Sequence, residues 1–91
     1  MVKGKTKTGF EYKVDKNMLN DAEFLESFCA IRKGDNTEIF ALIGKMLGKD
    51  QKKALYDHVR TEDGQVPLDA LTDEVVEIFA ALGEDDETKK S

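Results

Sequence analysis

The chain has 91 residues, with 14 Lys and Arg against 19 Asp and Glu and a net charge of −5. That fits one small acidic domain, which buries about 60 to 65 % of its unfolded surface. An acidic balance repels phosphate backbones and anionic lipid, no window reaches the roughly 18 apolar residues of a membrane span, and one cysteine excludes an internal disulfide framework. The resulting expectation is a cytoplasmic protein without cofactor, nucleic-acid partner or membrane partner.

The charge is uneven: residues 1–16 hold five lysines against Glu11 and Asp15, leaving the remainder at −8. The opening Met-Val-Lys-Gly-Lys-Thr-Lys has positive charge but no apolar run behind it, unlike a signal peptide. Val2 to Val14 reads as β structure, with Thr6, Thr8, Phe10, Tyr12 and Val14 on one face and Lys7, Glu11 and Lys13 on the other. Gly9 interrupts it, so a hairpin turning near Thr8-Gly9 and a single strand over Gly9–Val14 both satisfy the pattern. A two-stranded ribbon alone is marginal in water. Either its Phe10/Tyr12/Val14 face is core or its edge is an interface.

Asp15 and Asn17 can cap a first helix carried by Met18, Leu19, Ala22, Leu25, Phe28 or Cys29, and Ile31 or Arg32, as far as Lys33-Gly34-Asp35. Asn20-Asp21 marks a turn and restart, since both side chains compete for backbone hydrogen bonds. Cys29, between Phe28 and Ala30, reads as a small buried hydrophobe. The organising stretch is Asn36–Gly48, where Ile39, Phe40, Leu42, Ile43, Met46 and Leu47 form a helical stripe. Asp35 or Asn36 can cap it, Gly44 suits close approach by a neighbour, and Gly48 can take the left-handed conformation that ends it. A third helix follows from Lys49 and Asp50 to about Thr61, with Ala54, Leu55, His58 and Val59 as its stripe. After a turn at Glu62–Gln65 and extended Val66-Pro67, Leu68, Leu71, Val75, Ile78 or Phe79, and Leu82 mark a last helix. Asp69 or Thr72 can cap it and Gly83 end it. Residues 84–91 have no apolar side chain and read as a disordered acidic tail. The fold class expected is mainly α: a four-helix domain over 1–83 with a small N-terminal β-strand or hairpin.

Chemistry-bearing patterns are few. Aligning Gly64 with the sixth position of a calcium-binding EF-hand loop places Val59, Thr61 and Asp63 at the first, third and fifth and Ala70 at the twelfth, too few oxygens for the ion. His58 with Cys29 and a carboxylate is an accidental zinc set, and neither residue sits in an activating context for nucleophilic catalysis. Lys49, Lys52, Lys53 and Arg60 suggest a DNA-reading helix, which Asp50, Asp57 and the acidic balance weaken. These readings point to a non-enzymatic binding protein, with a small DNA-binding or regulatory protein of phage or bacterial origin as the alternative.

The order Gly9-Phe10-Glu11-Tyr12-Lys13-Val14-Asp15 into Leu19-Asn20-Asp21-Ala22-Glu23-Phe24-Leu25-Glu26 resembles the small tail assembly chaperones of long-tailed phages and prophages of Gram-positive hosts. The likeness continues in Leu47-Gly48-Lys49-Asp50-Gln51 with Tyr56 and His58, and in Glu62-Asp63-Gly64-Gln65-Val66-Pro67 leading to Glu74-Val75-Val76-Glu77-Ile78. It covers about Gly9 to Leu82. The resemblance implies a protein of the host cytoplasm, absent from the mature virion, that coats the tape measure protein, recruits tail tube protein subunits and self-associates. It also implies a longer form made by ribosomal frameshifting, with which Lys89-Lys90 is compatible. A chaperone for a helical partner needs an apolar surface. Phe10, Tyr12, Phe24, Phe28, Phe40, Val76 and Phe79 are its candidates.

Overall fold

The computed structural model describes residues 2–84. Two short strands, β1 (Val2–Lys5) and β2 (Glu11–Val14), pair antiparallel with Val2 opposite Val14 and Gly4 opposite Tyr12. Of the two β arrangements compatible with the sequence, the hairpin is the one formed. Its loop closes through Thr6 N–H to Phe10 O and Gly9 N–H to Thr6 O, both 2.9 Å, and Gly9 has φ +99°. Only glycine enters that region without strain, which lets Lys7-Thr8-Gly9 make a tight three-residue connection between Thr6 and Phe10.

A 3-10 turn, Lys16–Asn20, is capped by the Asp15 carboxylate on Asn17 N–H. The chain then restarts as α1 (Ala22–Arg32), where the Asp21 carboxylate accepts from the Glu23 and Phe24 amides at 3.0 and 3.2 Å. The break at Asn20-Asp21 is therefore real, and each half has its own aspartate cap. Asp35 caps a second 3-10 turn, Asn36–Glu38, by accepting from Thr37 N–H and Oγ1. Glu38 precedes α2 without a side-chain cap.

α2 (Ile39–Val59) replaces the two separate helices expected over Asn36–Gly48 and Lys49–Thr61, so there are three helices and not four. Gly48, at φ 81° and ψ 171°, breaks its helical path. The glycine has the positive φ expected of it, but the chain re-enters the helix at once instead of ending it. The Gln51 side chain donates to the Leu47 carbonyl at 2.8 Å, giving that carbonyl a partner beside the kink. Arg60 to Pro67 turns on Gly64 (φ +88°), with Thr61 N–H to Gln65 O at 2.8 Å and Gly64 N–H to Thr61 O at 2.9 Å. α3 (Leu68–Glu84) then runs through Gly83 without stopping there. Asp69 and Thr72 bond Ala70 N–H and Leu68 O and do not precede the helix as caps. The tail expected over 84–91 lies, from residue 85, outside the described residues.

α2 is central: α1 and α3 both pack on it, and the hairpin touches α2 through β2 and α3 through β1. The core gathers Phe10, Tyr12 and Val14, Phe24, Phe28 and Ile31, the α2 residues Ile39, Leu42, Ile43, Met46, Leu47 and Leu55, and Leu71, Val75, Ile78 and Leu82. Each such side chain contributes about 1.5–3 kcal/mol when removed from water. Several expectations fail. Cys29, Ala54 and His58 are exposed, because the helix axes turn the neighbouring Phe28, Leu55 and Val59 inward instead. A Cβ at Gly44 would meet only the tip of Lys52, at 3.9 Å, so no element approaches closely there. Gly4 is the crowded glycine: a Cβ would collide with the Tyr12 ring and hydroxyl, which cover it from the opposite strand.

Candidate functional site

Most of the apolar residues proposed for partner binding hold the domain together. Phe10, Tyr12, Phe24 and Phe28 are buried, and Val76 and Phe79 are partly buried against the core. Phe79 stacks on Phe28 at 3.7 Å between centroids and 9° between planes, and on Phe24 at 5.8 Å, fastening α3 to α1. Phe40 is the exception. It follows fully buried Ile39 yet remains 48 % exposed. Leu68, at the start of α3, is the other large apolar side chain left in water among the described residues.

Between α1 and α2 runs a groove of about 330 Å³, with Phe24, Ala41 and Leu42 in its lining and Glu23, Glu26, Glu38 and Lys45 as its ionisable groups. The Lys45 ammonium reaches Asp21 at 3.0 Å and Glu23 at 3.5 Å. The hydrogen bond to Lys45, with the Phe24 amide, holds the Asp21 carboxyl below its ordinary range, and the same bond raises Lys45. Three carboxylates to one ammonium leave the groove acidic.

A polar node sits where the hairpin turn meets α2 and α3, and it was not anticipated from the sequence. Thr8 Oγ1 donates to Glu74 Oε2 at 2.7 Å, and His58 Nε2 lies 2.9 Å and Thr6 Oγ1 3.1 Å from the same oxygen. With its proton committed to Glu74, the hydroxyl is left as an acceptor for the Thr6 hydroxyl and for the His58 tautomer that carries hydrogen on Nε2. Lys7 N–H donates to Glu77 Oε2 at 2.7 Å, and the His58 ring lies 5.5 Å from Phe10. Imidazole and carboxylate both bond the hydroxyl here, unlike the hydroxyl–imidazole–carboxylate relay that activates a nucleophile. Glu74 is 4 % exposed and its Oε1 has no partner. The small cleft beside the node is lined by Thr8, His58, Val59, Ala70, Asp73 and Glu74, without Cys29. Among the described residues no three metal-binding side chains converge, and no helix is long and apolar enough to cross a membrane.

The basic residues of α2 are partly neutralised. Asp57 bonds Arg60 at 3.1 Å and Lys53 at 3.4 Å, and the Arg60 bond foremost lowers its carboxyl. Lys52 lies over the Tyr56 ring at 5.8 Å. No protein-family model matches the chain, and neither a curated protein nor a solved structure matches it.

Proposed function

We propose that the chain is a non-catalytic tail assembly chaperone that binds the tape measure protein and recruits tail tube subunits in the host cytoplasm. The exposed Phe40 is the observation that supports this reading, because it offers an aromatic side chain of the kind enriched at protein interfaces, beside a core that is closed without it. The acidic α1/α2 groove supports it, since a helix with an apolar stripe and basic flanks matches a cleft of that chemistry. The choice of partner rests on the resemblance of the motif order from Gly9 to Leu82 to tail assembly chaperones. Asp57 weighs against the DNA-binding alternative by occupying two of the four cations that a reading helix would offer.

Co-expression with the neighbouring tape measure protein, affinity capture and light scattering test the proposal. Several copies should co-elute with a partner that is insoluble alone. Phe40→Asp should abolish capture while shifting the unfolding free energy by less than about 0.5 kcal/mol, as for other surface changes. Undiminished capture by that variant, or a chain that instead retards DNA, defeats the reading.

A further inference from the structure

The hairpin has two outer edges, and they are unlike. Opposed residues of an antiparallel pair alternate between bonding one another and turning N–H and C=O outward. The Thr6–Phe10 bond and the pairing of Val2 with Val14 set the phase, so Lys3 and Lys5 face outward on β1 and Glu11 and Lys13 on β2. Gln51 occupies the β2 edge: its Oε1 accepts from Lys13 N–H at 2.7 Å and its Nε2 donates to Lys13 O at 2.8 Å, as a neighbouring strand would. On β1 the outward N–H and C=O groups of Lys3 and Lys5 have no partner among the described residues, and both residues are exposed. The next outward N–H, that of Lys7, is already held by a carboxylate, Glu77.

We propose that the outer edge of β1 is a docking site for an extended acidic segment of a partner protein, which adds as a third strand. Backbone pairing supplies the attachment and the lysines select the sequence. The solvent face of the hairpin presents Lys3, Lys5 and Lys13 against Glu11 alone, and the nearest cross-strand neighbours of an added strand are Lys3 and Lys5. Acidic residues there meet opposite charge, whereas a second copy of β1 sets lysine against lysine. Lysines on a free edge deter indiscriminate pairing, and the same charges admit an acidic strand. This site uses the hairpin alone and stands or falls independently of the contact proposed for Phe40.

The test is an amide NMR titration of the full chain with acetyl-Glu-Val-Glu-Val-Glu-Val-amide and with its lysine counterpart. The acidic peptide should shift the Lys3 and Lys5 amides saturably, slow their hydrogen exchange, and bind about tenfold more tightly than the basic one. Lys5→Pro removes an outward donor at a position where an edge strand tolerates proline, and should abolish the shifts. Lys5→Thr keeps the donor and should bind with reduced affinity. Equal binding of both peptides, shifts elsewhere, or no shift overturns the proposal, and these wild-type outcomes decide it even where the proline variant unfolds. Concentration-dependent protection of Lys3 and Lys5 without peptide assigns the edge to a second copy and overturns it equally.

Discussion

A carboxylate with one hydrogen bond and almost no water is an expensive thing to keep in a small core, and Glu74 is such a group. Its single bond from Thr8 leaves Oε1 unmatched at 4 % exposure. Glu74→Gln retains an acceptor for Thr8 and removes the buried charge, so it should raise stability by about 1 kcal/mol in urea unfolding at neutral pH. A loss of similar size instead would mean that the bond from Thr8 outweighs the cost of burying the carboxylate. Glu74 was legible and passed over: Leu71, Val75, Ile78 and Leu82 define a face on which position 74 also falls. Periodicity reports faces, however, and a polar residue on an apolar face looks like noise until its partner is known. That partner, Thr8, lies 66 positions away. Phe40 reads both ways, as part of the α2 stripe and as a surface candidate, because an aromatic at the border of a stripe fits the core pattern equally well whether it turns inward or out.

At the scale of elements, Gly48 and Gly44 should respond oppositely to alanine. Gly48→Ala forces a side chain into a positive-φ extended conformation and should cost about 1–3 kcal/mol. Gly44 is in ordinary helix with room for a methyl group, so Gly44→Ala should add up to about 1 kcal/mol. Thermal or urea unfolding of the two variants separates a kink that the fold requires from a glycine it merely tolerates. Sequence reading saw a stop at Gly48 but not the resumption, because Gln51, which spans the break and the β2 edge together, carries no local signal of either bond.

Three partnered aspartates give pH dependence a definite sign. The Asp21, Asp35 and Asp57 carboxyls are each held below the ordinary range, by Lys45, Thr37 and Arg60 foremost. A carboxyl with a lowered folded value contributes stability above its unfolded value near pH 4, and loses it as pH falls through the lowered value. Stability should therefore decline in acid. Asp21→Asn, which still caps α1 but no longer pairs with Lys45, should flatten the acid limb of a melting-temperature profile while leaving the neutral helix signal in place. An unchanged acid limb would show that the exposed pair contributes nothing measurable.

For the molecule as a whole, the mainly helical character and the N-terminal β element were both readable, since each is written in a period along the chain. The number of helices was not, because one glycine conformation decides whether two stripes are two rods or a single bent one. Two turns far apart turn out to share one design. Thr6-Lys7-Thr8-Gly9-Phe10 and Thr61-Glu62-Asp63-Gly64-Gln65 have the same three bonds, from the first amide to the fifth carbonyl, the fourth amide to the first carbonyl, and the fifth amide to the threonine hydroxyl. One sequence rule, Thr-x-x-Gly, thus makes both reversals.

The Gln51 clamp also governs how far a sheet begun on this hairpin can grow. With Lys13 occupied, β2 offers Glu11 as its one outward residue, too short a run for a ladder. Any strand joining the hairpin must do so on the β1 side, and a protomer that has accepted one has no second edge to pass on. Pairing here is a terminating step rather than a propagating one. A crowded assembly can therefore collect many copies of the chain without their hairpins zipping into an endless ribbon.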